Sequence, residues 1–154
     1  MQTFLPFRSY AKSAATLDNK RLGKQIIEAG QILRTLTPRW SFGWGNHPAA
    51  KQWEGHNGSL LVYTYAMARE WHKRYGRVHG SWKRTRMEQP ELWAVIRKKY
   101  PEPPPWLGDP RYHISHQSNL LRKDWDYYAK HFPGVVANPE LHDLEYFWPT
   151  REGY

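Results

Sequence analysis

Apolar residues recur along the chain mostly at three- and four-residue intervals, and the alternating runs that a strand requires are absent. The pattern predicts a mainly α-helical fold joined by Gly- and Pro-rich loops. Its strongest segment runs from about Asp18 to Leu36, with Asp18 as N-cap and Pro38 beyond the end. Leu22, Ile26, Ala29, Leu33 and Leu36 form the apolar stripe. At about 100° per residue, Arg21, Lys24, Glu28, Gln31 and Thr35 fall on the opposite half of the cylinder. Spacing alone therefore makes Glu28 the i,i+4 partner of Lys24 on a solvated face. Gly23 and Gly30 lie one heptad apart on one flank, and each costs about 1 kcal/mol relative to Ala inside a helix. A close approach to the helix backbone is the expected reason.

Further along, Pro48 is placed to open a short helix ending near Gly55, followed by a longer one from about Ser59 to Tyr75. Asn57 or Ser59 is its candidate cap and Gly76 its terminator. The stretch "RVHGSWKRTRMEQ" reads as an irregular basic loop. Pro90 opens a helix of about ten residues, and "PEPPPWLGD" reads as an extended, polyproline-like connector. Asp109 and Pro110 supply cap and first position for "DPRYHISHQSNLLRK". Asp124 caps a short last helix ended by Pro133 and Gly134. The tail from Asn138 is acidic, with Glu140, Asp143, Glu145 and Glu152 against Arg151. No repeat or low-complexity linker interrupts the chain, so the expected architecture is all-α, one compact domain over residues 1–154.

Charge then narrows the partner. The chain holds 23 Lys plus Arg against 14 Asp plus Glu, a net +9, which favours polyanions through long-range attraction and counterion release. Nine Trp exceed the needs of a small core and suggest stacking surfaces. Residues 69–86 concentrate both, with seven Lys or Arg, one Glu, and Trp71, Tyr75 and Trp82 between them. The absence of Cys excludes disulfides, thiolate metal sites and cysteine nucleophiles and fits a cytoplasmic location. Neither an apolar signal segment nor a membrane span is present.

Few familiar catalytic patterns remain. His113 and His116 share a helical face, but a zinc site needs a third and usually a fourth ligand, and no HExxH or carboxylate pattern supplies one. No metal or other cofactor is expected. "GWGNH" lacks the GK[ST] of a phosphate loop, and no GxSxG elbow occurs.

The segments "DNKRLGKQIIE", "GWGNH" and "EWHKRYG" together resemble the phage-type pyrimidine-dimer DNA glycosylases, also called endonuclease V. The first matches that family's helix with a polar-Leu-x-x-x-x-x-Glu core, the second its Gly-x-Gly-(x)-His loop, and the third the end of the next helix. Within the group, "MQTFLP", "NHPA", "PPWLGD" and "SHQSNLLRKD" bring the chain nearest to a branch of small bacterial and phage proteins. The resemblance implies an all-α fold and double-stranded DNA with a damaged or modified base as partner; the protein is expected to be a monomer. It further implies an N-terminal α-amine that attacks C1′ to form a Schiff base, while the helix Glu assists base loss and β-elimination. By position, Glu28 matches that Glu, Met1 the N-terminal residue, and Lys20 and Arg21 polar DNA contacts. Two cationic positions of the dimer-specific enzymes are Ile27 and Gln31 here.

The chemistry is consistent with general acid–base principles. An α-amine is roughly 10–20% neutral at pH 7, an ordinary Lys less than about 0.1%. Gln2 is too bulky for usual initiator-Met removal, so Met1 is the expected nucleophile, with Lys24 in reserve. Asn46 and His47 are expected to position phosphate or sugar, Arg122 and Lys123 to anchor the DNA backbone. Trp40, Trp44 and Trp106 are candidate stacking or wedge residues for a distorted nucleotide. Two alternatives stand beside the glycosylase and AP lyase expectation: a non-catalytic DNA-binding module, and a metal-dependent nuclease using His47, His113 and His116.

Overall fold

The computed structural model describes residues 1–39, 43 and 45–154. Trp40 and Trp44, two of the candidate stacking residues, lie outside them. The described residues form nine α-helices and two 3-10 turns with no strand, an all-α fold as the periodicity predicts.

Helix α1 (Tyr10–Thr16) begins at Ser9, whose hydroxyl accepts from the Lys12 N–H. Its seven residues are too few to show a periodic stripe, and the sequence pattern does not reveal it. Helix α2 (Asn19–Leu36) has its expected boundaries, with the Asp18 carboxylate accepting from the Arg21 N–H. The α3 turn (Pro48–Lys51) is capped by His47. Helix α4 (Asn57–Tyr75) starts two residues before the expected Ser59 and has no side-chain cap. Ser59 instead shares a 2.6 Å hydrogen bond with the buried Tyr10 hydroxyl. Gly76 ends α4 in the left-handed conformation, at φ 69°.

The basic stretch expected to be irregular is helix α5 (Gly80–Glu88). Its apolar pattern is too sparse to announce a helix, but His79 caps it and Trp82 is buried on its inner face. Helix α6 (Pro90–Lys98) follows. The proline-rich connector is not extended throughout: residues 105–108 turn, and Trp106 folds into the core and donates its indole N–H to the Gln52 carbonyl at 2.9 Å. Trp106 is thus a core residue, not a wedge. Helix α7 (Pro110–Lys123) is capped by Asp109, and α8 (Trp125–Tyr128) by Asp124. Pro133 and Gly134 do not terminate a helix; they open a short one, α9 (Pro133–Val136), because proline's fixed φ suits a first turn. The 3-10 turns Pro139–Leu141 and Pro149–Arg151 punctuate the tail.

Helices α2 and α4 are the central pair, flanked by α1, α5 and α6, while α7 carries α8 and α9. Both glycines of α2 mark close packing. A Cβ on Gly23 would stand 2.9 Å from the Trp71 ring, and one on Gly30 2.7 Å from the Thr85 hydroxyl. The glycines let α4 and α5 approach a backbone that alanine would hold off.

Gly30→Ala is therefore expected to cost about 1–3 kcal/mol of unfolding free energy through overpacking. In a Thr85→Ala background the same change should be neutral or stabilising, since the gain of about 1 kcal/mol in helix propensity is then unopposed. Urea unfolding of the four proteins measures the difference.

Candidate active site

Residues 2–6 are buried, yet they belong to no helix and pair with no strand. Their backbone groups must find side-chain partners or carry a desolvation cost of about 1–3 kcal/mol each. Partners arrive from four directions. The Phe4 N–H donates to Gln25 Oε1 of α2 at 2.8 Å, and the Tyr63 hydroxyl of α4 donates to the Phe4 carbonyl at 2.9 Å. From α7, His116 Nδ1 accepts the Leu5 N–H at 2.9 Å, His113 Nδ1 donates to the Leu5 carbonyl at 2.8 Å, and Gln117 Nε2 donates to Pro6 at 2.7 Å. Gln52 and Trp53 both donate to the Thr3 hydroxyl at 3.0 Å. Each partner fixes one residue of the segment in register.

The last clamp is Glu28. Its Oε2 accepts the Gln2 N–H at 3.1 Å, and its Oε1 stands 3.9 Å from Lys24 Nζ. Covalent geometry keeps the Met1 nitrogen within about 3.6 Å of the Gln2 nitrogen, so amine and carboxylate are separated by no more than about 7 Å. The Glu28 side chain is only 13% exposed, against 66% for Lys24. The solvated face expected from the helical wheel is thus corrected: the N-terminal segment lies over it and leaves Lys24 outside.

His47 adjoins the same point. Its Nδ1 accepts the Ala49 N–H at 3.0 Å, which fixes the neutral ring with its proton on Nε2. Burial lowers its pKa first, the positive N-terminus and Arg151 lower it further, and Glu28 opposes them. The ring packs edge-on against Trp148 of the tail, centroids 6.1 Å apart. Beside it a cleft of about 370 Å³ is lined by Asn119, Arg122, Tyr146, Trp148 and Arg151 together with the carboxylates of Glu145 and Glu152. Burial pushes the Tyr146 hydroxyl up to about 12; the charge of Arg122 pulls it down and that of Glu28 raises it.

The other expected site residues divide. Lys20 and Asn46 are exposed, as is Ile27, the position where an arginine is replaced; Gln31 is half-buried. Arg21 is held by Asp18 at 3.2 Å, and Asp18 also accepts from the Tyr128 hydroxyl. Arg122 is committed to the tail: it donates to the carbonyls of His142 and Leu144 and to Ser118 and Asn119 at 2.6–2.8 Å. Lys123 is exposed one residue further on. The histidines of the metal-nuclease alternative serve elsewhere, His113 and His116 on Leu5 and His47 at its cap. Among the described residues no three His, Asp or Glu gather as metal ligands.

Gln25, Tyr63, Tyr146, Trp148 and Arg151 escape sequence reasoning. Gln25 carried a faint signal, a polar residue three before Glu28 on the flank facing the core. The tail aromatics had none, because their position depends on contacts made across the fold.

The class defined here is an all-α protein in which a buried N-terminal segment crosses a helix carboxylate and donates the Gln2 N–H to it. A family model described as pyrimidine dimer DNA glycosylase matches residues 1–84, and the chain belongs to that family. No curated protein and no solved structure matches it. The matched region holds the N-terminal segment, Glu28 and His47, whereas α7 and the tail lie beyond it. Membership gives the protein a DNA glycosylase family and DNA as its class of substrate. Among the described residues no helix is long and apolar enough to cross a membrane.

The clamping histidines make assembly of this site pH-dependent. Burial holds His116 well below its ordinary 6.5 and lowers His113 as well. Below about pH 6.5 the unfolded chain binds protons that the native state refuses, so stability falls as pH falls, by up to about 1.4 kcal/mol per unit for each such histidine. Above 6.5 the contribution is fully present. His116→Gln, which keeps an acceptor for the Leu5 N–H, is expected to remove one proton from the slope of unfolding free energy measured in urea between pH 7.5 and 5.5.

Proposed function

We propose that the protein is a bifunctional DNA glycosylase and AP lyase, with the α-amine of Met1 as nucleophile and Glu28 as its acid–base partner. The observation that carries this reading is the Gln2 N–H to Glu28 hydrogen bond of 3.1 Å, which tethers the neighbouring amine beside the carboxylate. The segment clamped behind it restrains the amine before substrate arrives, which favours attack by lowering the entropy lost in reaching the reactive geometry.

The neutral amine attacks C1′ of the damaged nucleotide; the N–C1′ bond forms as the glycosidic bond breaks, and the base departs with a proton. Opening of the sugar leaves an iminium at C1′, which acidifies the C2′ proton. Removal of that proton by a base, with loss of the 3′ phosphate, completes β-elimination. Glu28 is the group within reach of these proton transfers. Lys24, 3.9 Å from Glu28, and Arg151 of the adjoining cleft suit phosphate contacts, with the exposed Lys20 and Asn46 as their expected companions, and His47, with Nε2 protonated, suits a hydrogen bond to sugar or phosphate. The cleft along Tyr146 and Trp148 offers apolar faces to a nucleotide drawn from the stack. The replacement of two cations by Ile27 and Gln31 supports a lesion preference different from that of the dimer-specific enzymes.

Borohydride trapping on an abasic-site duplex tests the proposal. Wild type is expected to give a covalent adduct, and acetylation of the N-terminus to abolish it. Glu28→Gln, which retains a carbonyl acceptor for Gln2, should slow turnover about 100-fold or more while DNA binding persists. Tight DNA binding without any adduct from the wild-type protein would instead make this a DNA-binding module.

A further inference from the structure

A second, larger groove opens where the buried N-terminal segment emerges. It lies between α1, α4 and the proline-rich connector and has a volume of about 1200 Å³, beyond the span usual for small-molecule sites. Arg8, Lys12, Arg69 and Lys73 line it, and none of the four makes an ion pair among the described residues. The one carboxylate in the lining, Glu70, is held by Arg74 at 3.1 Å. Four like charges gathered without counter-charge repel one another and favour an anionic occupant. The floor is different in kind: Val62, Ala66 and Leu107 are apolar, and the rings of Tyr65 and Tyr100 are 40% and 71% exposed.

We propose that this groove binds single-stranded DNA, with the four cations on its phosphates and Tyr65 and Tyr100 under its bases. Charge alone would serve a duplex equally well. A duplex, however, turns phosphates outward and keeps its bases stacked, so it gains nothing from an apolar floor, the open ring of Tyr100 and the outer edge of Tyr65, whose ring is held in place by Trp82 and Trp93. A single strand presents both. The groove shares no residue with the amine site, and the proposal does not depend on the lyase chemistry.

Fluorescence anisotropy with a labelled, undamaged dT12 tests it. Wild type is expected to bind with an affinity that falls steeply with salt. Arg69→Gln/Lys73→Gln should bind at least about ten-fold more weakly, with a log–log salt slope shallower by about 1.4, the release of counterions from two single-strand phosphates. Tyr100→Ala should weaken binding about five-fold or more and leave the slope unchanged, because stacking releases no counterions. Protein acetylated at the N-terminus should bind dT12 as wild type does. Wild-type affinity and slope in the double variant would overturn the proposal. So would loss of dT12 binding on acetylation alone, which would locate the strand at the amine, or an effect of the groove variants confined to duplex DNA. Thermal melts matched to wild type confirm that these exposed substitutions leave the fold intact.

Discussion

A stretch of extended chain, buried and without a neighbouring strand, is the constraint on which the rest of this structure depends. Helices satisfy their own backbone, and sheets satisfy each other's; residues 2–6 do neither. Side chains from α2, α4 and α7 therefore serve as a substitute for a sheet neighbour, each donating or accepting at one position, while Gln52 and Trp53 hold the segment through the Thr3 hydroxyl. This explains why polar residues such as Gln25, Gln52, His113 and His116 lie in the interior of a small helical protein. It also gives Glu28 two roles, since the carboxylate proposed for chemistry is itself one of the clamps.

The same economy governs the cations. Part of the positive charge is structural: Arg74 reaches Asn19 and the carbonyls of Ala14 and Ala15, so it ties α4 to α1, and Arg122 holds the tail over α7. Arg34 and Arg84 converge on Glu88 and join α2 to α5. These groups are committed before any ligand arrives. The remaining charge is outward-facing: some lies around the amine site, some along the groove of α1 and α4, and some, such as Arg77, Lys83, Arg97 and Lys98, on the exposed faces of α5 and α6 and the turn before them. A net charge of +9 thus understates the specialisation, because it sums residues that hold the fold and residues that face outward.

Local chemistry made much of this fold legible. Asp18, Asp109 and Asp124 cap the helices they were expected to cap, and Gly76 ends the helix it was expected to end. Gly23 and Gly30, costly in any isolated helix, announced the close approach of Trp71 and Thr85. Helices α1 and α5 were hidden, one by its length and the other by a pattern whose apolar content is mostly a single tryptophan. The site was half visible. Glu28 stood out by resemblance, yet a helical wheel presumes solvent wherever the helix turns away from its own stripe. It cannot register that a segment more than twenty residues away lies across that face. The histidine pair on α7 was set aside as a metal site, but its true partner was equally hidden: two rings three residues apart grip the N–H and the C=O of one residue, Leu5, at the far end of the chain.

The clamps at Leu5 also impose an order on biosynthesis. Their partners are 108 and 111 residues further along the chain, so the N-terminal segment leaves the ribosome long before anything exists to bury it. Contacts of such separation form late, after the loop between them has been closed. The nascent helices α2 and α4 can pair while the segment is still loose, but the amine cannot be fixed beside Glu28 until α7 has been made. Truncated chains, released early, would carry the helix and its glutamate without the clamped N-terminal segment. The fold in this way leaves the proposed site unassembled until the protein is nearly whole.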